Sequence, residues 1–147
     1  MKFPTFSLPA DNDKTYSEQD FAKGTFVLFL YPKDMTSGCT VAAQNFRDSL
    51  ADFKKVKTEV IGISKDPLKR HLKFREKEEL NFPLISDEES TLIDALGSWK
   101  EKSMYGKKYM GTDRSTFVIQ NGEIIKEWRK VKVPGHVQEV LEFVKGL

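Results

Sequence analysis

The sequence is poor in the residues that build metal sites and covalent cross-links. It contains one cysteine and two histidines among 147 residues. A lone cysteine excludes an intrachain disulfide and a cysteine-rich zinc site, and two histidines are too few for a histidine-dominated metal site. The sequence also lacks a phosphate loop and a dinucleotide fingerprint, so we expect neither a metal nor a nicotinamide or flavin cofactor.

Long apolar runs and an excess of one charge are also missing. The longest apolar stretch, Phe26–Tyr31, is far too short to cross a bilayer, and residues 1–9 lack the apolar run of a signal peptide. Lys and Arg number 24 against 22 for Asp and Glu, a net charge of +2, which is too balanced for a dedicated nucleic-acid binder. A single thiol without an export signal predicts a reducing, cytoplasmic setting.

The residues that are present are enough for one folded unit. Hydrophobic residues make up 39% of the chain, and a length of 147 residues is typical of one domain. Prolines are scattered, and the chain shows no repeat or low-complexity tract. We therefore expect a single domain over residues 1–147.

Hydrophobic patterning predicts alternating strands and helices. Buried strands are expected at Phe26–Tyr31 and Thr58–Ser64, and a short strand at Phe82–Ile85. Asn121-Gly122 lies between two apolar runs, which is the strongest short-range signal for a β-hairpin. Helices are expected over about 40–55, from Pro67 to about Glu79, from Asp87 or Glu88 to Leu96, and at the C-terminal end, where Val137, Val140, Leu141 and Val144 share one face.

This order constrains the sheet. The early strand–helix–strand units require parallel crossovers, whereas the late hairpin is antiparallel. A mixed central β-sheet with helices on both faces satisfies both requirements. This is the α/β plan of the thioredoxin-like fold, although periodicity alone also fits other α/β sandwiches.

The lone Cys39 follows the first buried strand and lies in the first turn of the predicted helix. At that place the unpaired backbone N–H groups and the positive end of the helix dipole favour a thiolate. A helix terminus contributes only about 0.3–2 kcal/mol, so an activated thiolate also needs a nearby cation, such as a guanidinium. The alternative is an inert, packed cysteine, which is the common fate of a free thiol. A polar loop that delivers the thiol to a helix start favours the activated thiol.

Three separated motifs resemble one protein family. Pro32, Thr36 and Cys39 match the Pro-x-x-x-Thr-x-x-Cys signature of peroxiredoxins. The strings YPKDMTSGCT, FPLISD and YGKKYMGTDRSTFVI are similar to the bacterioferritin-comigratory-protein (PrxQ) branch, and the resemblance covers nearly the whole chain. It implies a thioredoxin-like fold and thiol-dependent reduction of hydrogen peroxide and organic hydroperoxides without a cofactor. It also implies a monomer or weak homodimer.

The resemblance implies four site residues. Cys39 is the peroxidatic nucleophile, Thr36 donates a hydrogen bond to the peroxide, Arg114 is the active-site arginine, and Pro32 shields the thiolate from water. Fixed donors near the breaking O–O bond stabilise the charge that develops there, and an arginine offers several donors in one plane. Taken without the resemblance, Arg114 would be a surface cation and Thr36 a helix cap.

The sequence departs from the family at three positions. Gln44 occupies the place of the resolving cysteine that many relatives carry, Ser37 replaces a proline, and Ala42 replaces a Glu or Gln that could orient Arg114. Without a second thiol, the sulfenic acid must be reduced by an external thiol: thioredoxin, glutathione with glutaredoxin, or another small thiol. The alternative is a redox sensor or binding protein of the same fold that oxidises without sustained turnover.

The remaining polar features predict ordinary surface and packing roles. His71 lies in a charged helix and is expected to be exposed, and His136 is expected to help cap the last helix, with neither near Cys39. A cluster of lysines surrounds Tyr105, at Lys100, Lys102, Lys107 and Lys108. We interpret this cluster as solvated surface rather than a site for nucleic acid or membrane.

Overall fold

The structure is a computed structural model of the chain, and it describes residues 2–147. The strands are β1 (Ser7–Pro9), β2 (Thr15–Ser17), β3 (Thr25–Leu30), β4 (Thr58–Ser64), β5 (Leu84–Ser86), β6 (Trp99–Met104), β7 (Lys107–Thr112), β8 (Ser115–Gln120) and β9 (Glu123–Trp128). The helices are α1 (Ser37–Lys55), α2 (Leu68–Glu78), α3 (Thr91–Ala95) and α4 (His136–Lys145). A short 3-10 helix, Glu18–Phe21, follows β2.

Five strands form the central sheet in the order β5-β4-β3-β8-β9. β3, β4 and β5 are parallel, with α1 and α2 as the crossover connections, while β8 is antiparallel to both β3 and β9. Asn121 and Gly122 both have positive φ, at 50° and 82°, as a two-residue hairpin turn requires. The predicted mixed sheet and its hairpin are therefore confirmed.

Each face of the sheet carries its own core. α1, α2 and α4 cover one face, where Phe29, Phe46 and Phe53 lie in a cluster with Cys39. The other face is covered by α3, the 3-10 helix and the N-terminal segment. Helices on both faces agree with the thioredoxin-like plan, with the second face covered by shorter elements.

Gly62 in β4 allows the aromatic stack beneath α1. A Cβ at this position would lie 2.8 Å from Leu84 Cδ2 and 2.9 Å from Phe29 Cζ. The bare backbone leaves room for the Phe29 ring, which stacks on Phe46 with centroids 4.5 Å apart and an interplanar angle of 15°. Such a stack contributes about 0.5–1.5 kcal/mol beyond its buried area, and it fixes the helix that carries Cys39 against the sheet.

Two hairpins were not predicted from the sequence. β1 pairs with β2, and β6 pairs with β7 around the turn Tyr105-Gly106. β7 is exposed over most of its length, so it lacks the alternation of apolar and polar residues that identifies a half-buried strand. The lysine cluster predicted as solvated surface lies on this second hairpin.

Candidate active site

Cys39 lies where the chain leaves the sheet. β3 ends at Leu30, a loop covers residues 31–36, and Thr36 is the extended N-cap residue of α1. The first helical hydrogen bond runs from the Thr40 N–H to the Thr36 carbonyl, so the N–H groups of the preceding residues have no partner within the helix. Cys39 is the third residue of α1 and is 2% exposed. The thiol therefore lies buried at the positive end of a 19-residue helix.

Arg114 reaches Cys39 through the pairing of β8 with β3. The register places Leu30 opposite Ser115, so the residue before β8 lies beside the end of β3. Arg114 Nη2 donates a hydrogen bond to Cys39 Sγ at 3.2 Å. Arg114 is therefore the cation that the sequence predicts beside Cys39 in addition to the helix end.

Thr36 lies directly before α1, and its hydroxyl bonds to the backbone of the preceding loop. The side chain is exposed, and Thr36 Oγ1 donates to the Lys33 carbonyl at 2.9 Å. Thr36 is the N-cap residue of α1, as its interpretation as a helix cap expects, but its side chain makes no cap hydrogen bond. Pro32 lies four residues earlier in the same loop and is half-buried.

A buried pair of polar side chains, Asp34 and His71, lies beneath the loop. The Asp34 carboxylate accepts from the Tyr31 hydroxyl at 2.5 Å and lies 2.6 Å from His71 Nδ1. Both side chains of the Asp34–His71 pair are 0% exposed. His71 was expected to be exposed, and that expectation is wrong: it faces the sheet three residues before the buried Phe74.

Both ring nitrogens of His71 have a polar partner. His71 Nε2 lies 3.0 Å from the Ile85 carbonyl, which only accepts, so this nitrogen carries a proton. Nδ1 faces the Asp34 carboxylate. Burial and the Asp34 carboxylate raise the pKa of Tyr31 well above its ordinary value of 10.0, which keeps the phenol a donor.

The backbone of the loop is also tied to neighbouring elements. The Asp34 N–H donates to Asp66 Oδ2 at 2.8 Å, and Arg70 Nη2 donates to the Asp34 carbonyl at 3.0 Å. Arg70 Nε also binds Asp66, at 3.1 Å. The loop that leads to Cys39 is therefore held in place by the start of α2 and by the residues after β4.

Beside Arg114 lies a small pocket with a free volume of about 10 Å³, roughly the space that one water molecule needs. Its walls are mostly apolar, and its polar residues are Arg114, Thr116 and His136. His136 Nε2 lies 2.7 Å from Thr116 Oγ1. Burial lowers the pKa of His136 below its ordinary 6.5, the Arg114 cation acts in the same direction, and Glu139 opposes them.

The position of His136 corrects two expectations. It is the first residue of α4 rather than its cap, because Gly135 occupies the N-cap position with φ of 75°. It also stands beside the arginine that binds the thiol, so a histidine does lie close to the site. Its place depends on the contact of α4 with Thr116 in β8, which no local pattern indicates.

Arg114 is not fully satisfied. Within residues 2–147, Nη1 of Arg114 is a buried nitrogen with no hydrogen-bond partner, a condition shared only with the Ser90 hydroxyl among buried side-chain nitrogen and oxygen atoms. Ala42, at the position where the family resemblance implies a Glu or Gln, lines the same pocket as Arg114. The methyl side chain offers no acceptor to the guanidinium.

Comparison with known proteins agrees with this geometry. The AhpC/TSA family profile matches residues 1–128. Peroxiredoxin Bcp of Bacillus subtilis is 46% identical over 148 residues, which cover 100% of this chain and 94% of the relative. The chain belongs to the AhpC/TSA family of peroxiredoxins. Escherichia coli Peroxiredoxin Bcp is 39% identical over 97% of this chain and 92% of its own length.

Solved structures place this peroxiredoxin in the PrxQ branch. Xanthomonas campestris Peroxiredoxin Q superposes with a TM-score of 0.91 at 37% identity, over 96% of this chain and 90% of that one. A Xylella fastidiosa PrxQ mutant gives the same TM-score at 34% identity, over 99% and 96%. The thioredoxin-like fold and the thiol peroxidase class are thereby established.

Other classes of site receive no support from the described part of this peroxiredoxin. Within residues 2–147, no three or more His, Cys, Asp or Glu side chains gather so as to hold a metal ion. In the same range, no helix combines the length and apolar character needed to cross a bilayer.

Proposed function

We propose that this peroxiredoxin reduces hydrogen peroxide and organic hydroperoxides by a one-cysteine cycle at Cys39. The observation that carries the proposal is the 3.2 Å hydrogen bond from Arg114 Nη2 to Cys39 Sγ at the start of α1. The single cysteine excludes an internal resolving disulfide, so an external thiol completes the cycle.

The first half-reaction oxidises the thiolate. Cys39 attacks one peroxide oxygen, the O–O bond breaks, the sulfur gains that oxygen as a sulfenic acid, and the departing oxygen leaves as water or an alcohol after taking up a proton. Arg114 and the free N–H groups of α1 stabilise the negative charge on the departing oxygen. Thr36 hydrogen-bonds the peroxide through Oγ1, the donor role that the resemblance implies, and Pro32 shields the sulfur.

The second half-reaction restores the thiol. One external thiol displaces the sulfenic oxygen as water and forms a mixed disulfide, and a second thiol releases Cys39. Thioredoxin, glutathione with glutaredoxin, and small thiols are the candidate reductants. We propose antioxidant defence in the cytoplasm by a monomer or weak homodimer.

The decisive experiment measures the second-order rate constant for Cys39 oxidation at neutral pH. Reduced protein is mixed with hydrogen peroxide, and thiol loss and sulfenic acid are followed by mass spectrometry beside free cysteine. We expect a rate orders of magnitude above free cysteine and no thiol-dependent peroxidase activity in Cys39→Ser. A rate no faster than free cysteine would sink the proposal. Fast oxidation with no turnover on any thiol would instead favour the redox sensor.

A further inference from the structure

We propose that Thr116 and His136 are positioning residues for Arg114, and that they steady its guanidinium through one water molecule bound in the pocket that the three residues line. The free volume of about 10 Å³ admits one water and nothing larger. The inference rests on the proposed function, because it concerns the arginine that binds the reacting sulfur.

Thr116 supplies the fixed end of this arrangement. It is the second residue of β8, a strand paired on both sides, and the register places it opposite Phe29 in β3 and Trp128 in β9. Residues two apart in a strand face the same side of the sheet, and Thr116 follows Arg114 by two. Both line the pocket, and Thr116 is 1% exposed. Its hydroxyl is therefore a buried polar group on a rigid strand, on the same side as the arginine.

His136 fixes the direction of the Thr116 hydroxyl. Nε2 of His136 lies 2.7 Å from Thr116 Oγ1, and His136 is 7% exposed. Burial and the Arg114 cation lower the pKa of His136 below its ordinary 6.5, although Glu139 acts in the opposite direction, so the imidazole is neutral at neutral pH. A neutral ring nitrogen that accepts takes the one proton of the hydroxyl, which leaves the lone pairs of Oγ1 for another donor.

Arg114 supplies the other end of the arrangement. Nη2 donates to the Cys39 sulfur, and within residues 2–147 Nη1 is a buried nitrogen without a partner. Cys39 does not line the pocket, and Ala42, which does, has no acceptor in its side chain. Nη1 is therefore the donor available to a water there, and leaving it unbonded would be costly. The guanidinium is planar and rigid, so a bond that holds Nη1 also holds Nη2 on the sulfur.

The donors and acceptors then form one continuous chain. Arg114 Nη1 donates to the water, the water donates to Thr116 Oγ1, and Thr116 donates to His136 Nε2. The water has two fixed partners, at the lower end of the roughly two to four that buried waters have. None of these bonds reaches the peroxide. The chain acts on Cys39 only through the position of Arg114 Nη2, so its removal should slow oxidation without abolishing it.

The first test removes the hydroxyl at position 116. Thr116→Val keeps the shape of the side chain and should slow oxidation of Cys39 by hydrogen peroxide about three- to tenfold, the effect of one ordinary hydrogen bond. Thr116→Ser keeps the hydroxyl and should oxidise at a rate close to that of the parent. Thr58→Val is the matched control, because Thr58 is 1% exposed and pairs with Thr25 at the far end of β3 from Cys39. A parent-like rate in Thr116→Val, or an equal loss in Thr58→Val, would overturn the proposal.

A second set of variants asks whether the effect passes through Arg114. His136→Leu removes the acceptor of the Thr116 proton and should slow oxidation by a similar factor, whereas His136→Gln restores an acceptor near Nε2 and should recover most of the rate. In an Arg114→Met background, Thr116→Val should cause no further loss of rate, because the group that it positions is gone. The same loss appearing again in that background would show that Thr116 acts independently of the arginine, against the proposal.

NMR spectroscopy of isotope-labelled protein tests the chain without turnover. At about pH 8, where His136 is neutral, the ring proton of His136 should lie on Nδ1, since Nε2 accepts from Thr116. This preference should be lost in Thr116→Val, and a parent ring protonated at Nε2 would overturn the proposal. A parent oxidation rate no faster than that of free cysteine counts against the proposed function, whereas fast oxidation that Thr116→Val leaves unchanged rejects only the positioning role.

Discussion

The two flanks of the Cys39 loop are built in opposite ways. On the α2 flank, the Asp34–His71 pair is fully buried, and every polar atom described there has a short hydrogen bond. On the β8 flank, Arg114 holds the sulfur with one nitrogen and leaves another without a partner. A satisfied buried network is rigid, whereas an unpaired buried cation is ready for a ligand. One flank therefore fixes the loop that leads to the thiol, and the other leaves an arginine donor unpaired beside it.

The largest expected effect comes from breaking the α2 flank. His71→Leu leaves the Asp34 carboxylate buried without its partner, which should lower the free energy of unfolding by about 3–5 kcal/mol in urea titrations. Leu72→Gln on the exposed face of the same helix is the control and should change it by less than about 0.5 kcal/mol. A second change, Asp34→Asn, should recover part of the loss in His71→Leu. A single-variant loss below about 1 kcal/mol would show that the pair is not a support.

Removing the Arg114 cation on the β8 flank should lower the rate of Cys39 oxidation rather than the stability of the fold. Arg114→Met is expected to slow Cys39 oxidation by roughly 10²–10³-fold, because a preorganised donor to the departing oxygen is lost. Arg70→Met removes an arginine from the other flank and should mainly lower stability, with a much smaller loss of rate. Stopped-flow measurement of Cys39 oxidation gives the rate for both variants, and urea unfolding gives their stability. Equal loss of rate in the two would erase the distinction between the flanks.

A hydrogen-bond acceptor placed beside Arg114 should increase the contrast between the β8 flank and the α2 flank. In Ala42→Gln the side-chain amide accepts from Arg114 Nη1 and steadies the guanidinium, which should raise the rate of oxidation by peroxide a few-fold. Val41→Gln is the matched control, because Val41 is adjacent in sequence and 46% exposed. The rate of Cys39 oxidation is measured for both variants, starting from fully reduced protein. An unchanged rate in Ala42→Gln would mean that the second nitrogen does not limit the reaction.

The smallest expected effect concerns pH. Because burial lowers the pKa of His136, the unfolded chain takes up a proton at higher pH than the folded protein does. The contribution of this residue to stability is therefore complete above its ordinary pKa of 6.5 and is lost as the pH falls through the lower folded value. Urea titrations of the parent and His136→Asn at about pH 8 and about pH 5.5 should show a smaller acid loss in the variant. An identical loss in both would contradict this assignment.

Much of this fold could be predicted because its buried strands carry local signals. β4 matches the expected Thr58–Ser64, and the Asn121-Gly122 turn identifies the β8–β9 hairpin. The expected start of the first helix, at about residue 40, was late because Ser37 and Gly38 are weak helix formers that the N-cap geometry recruits. The turn Tyr105-Gly106 lacks the Asn-Gly pair that would have revealed the β6–β7 hairpin.

The residues of the candidate site were also only partly predictable from the sequence. Sequence motifs identify Cys39 and Arg114 as site residues, and their roles in catalysis stay predictions. Their proximity depends on the register between β3 and β8, which the motifs do not give. Asp34 lies inside the quoted motif, yet nothing local distinguishes a buried aspartate from a loop aspartate. His71 gave one usable signal, since it lies three residues before Phe74 on the apolar face of α2. The charged residues around it concealed that spacing.

A tryptophan, Trp128, lies next to His136, one of the residues that line the pocket beside Arg114. The Trp128 ring meets His136 edge-on with centroids 5.7 Å apart, and it contacts Phe143 in the same way. Indole emission responds to a neighbouring imidazole and to its charge, so the fluorescence of Trp128 should follow what occurs beside Arg114. The other tryptophan, Trp99, lies near Lys65 Nζ, and Trp99→Phe would leave one emitter. Binding at the thiol could then be watched in real time without attaching a dye.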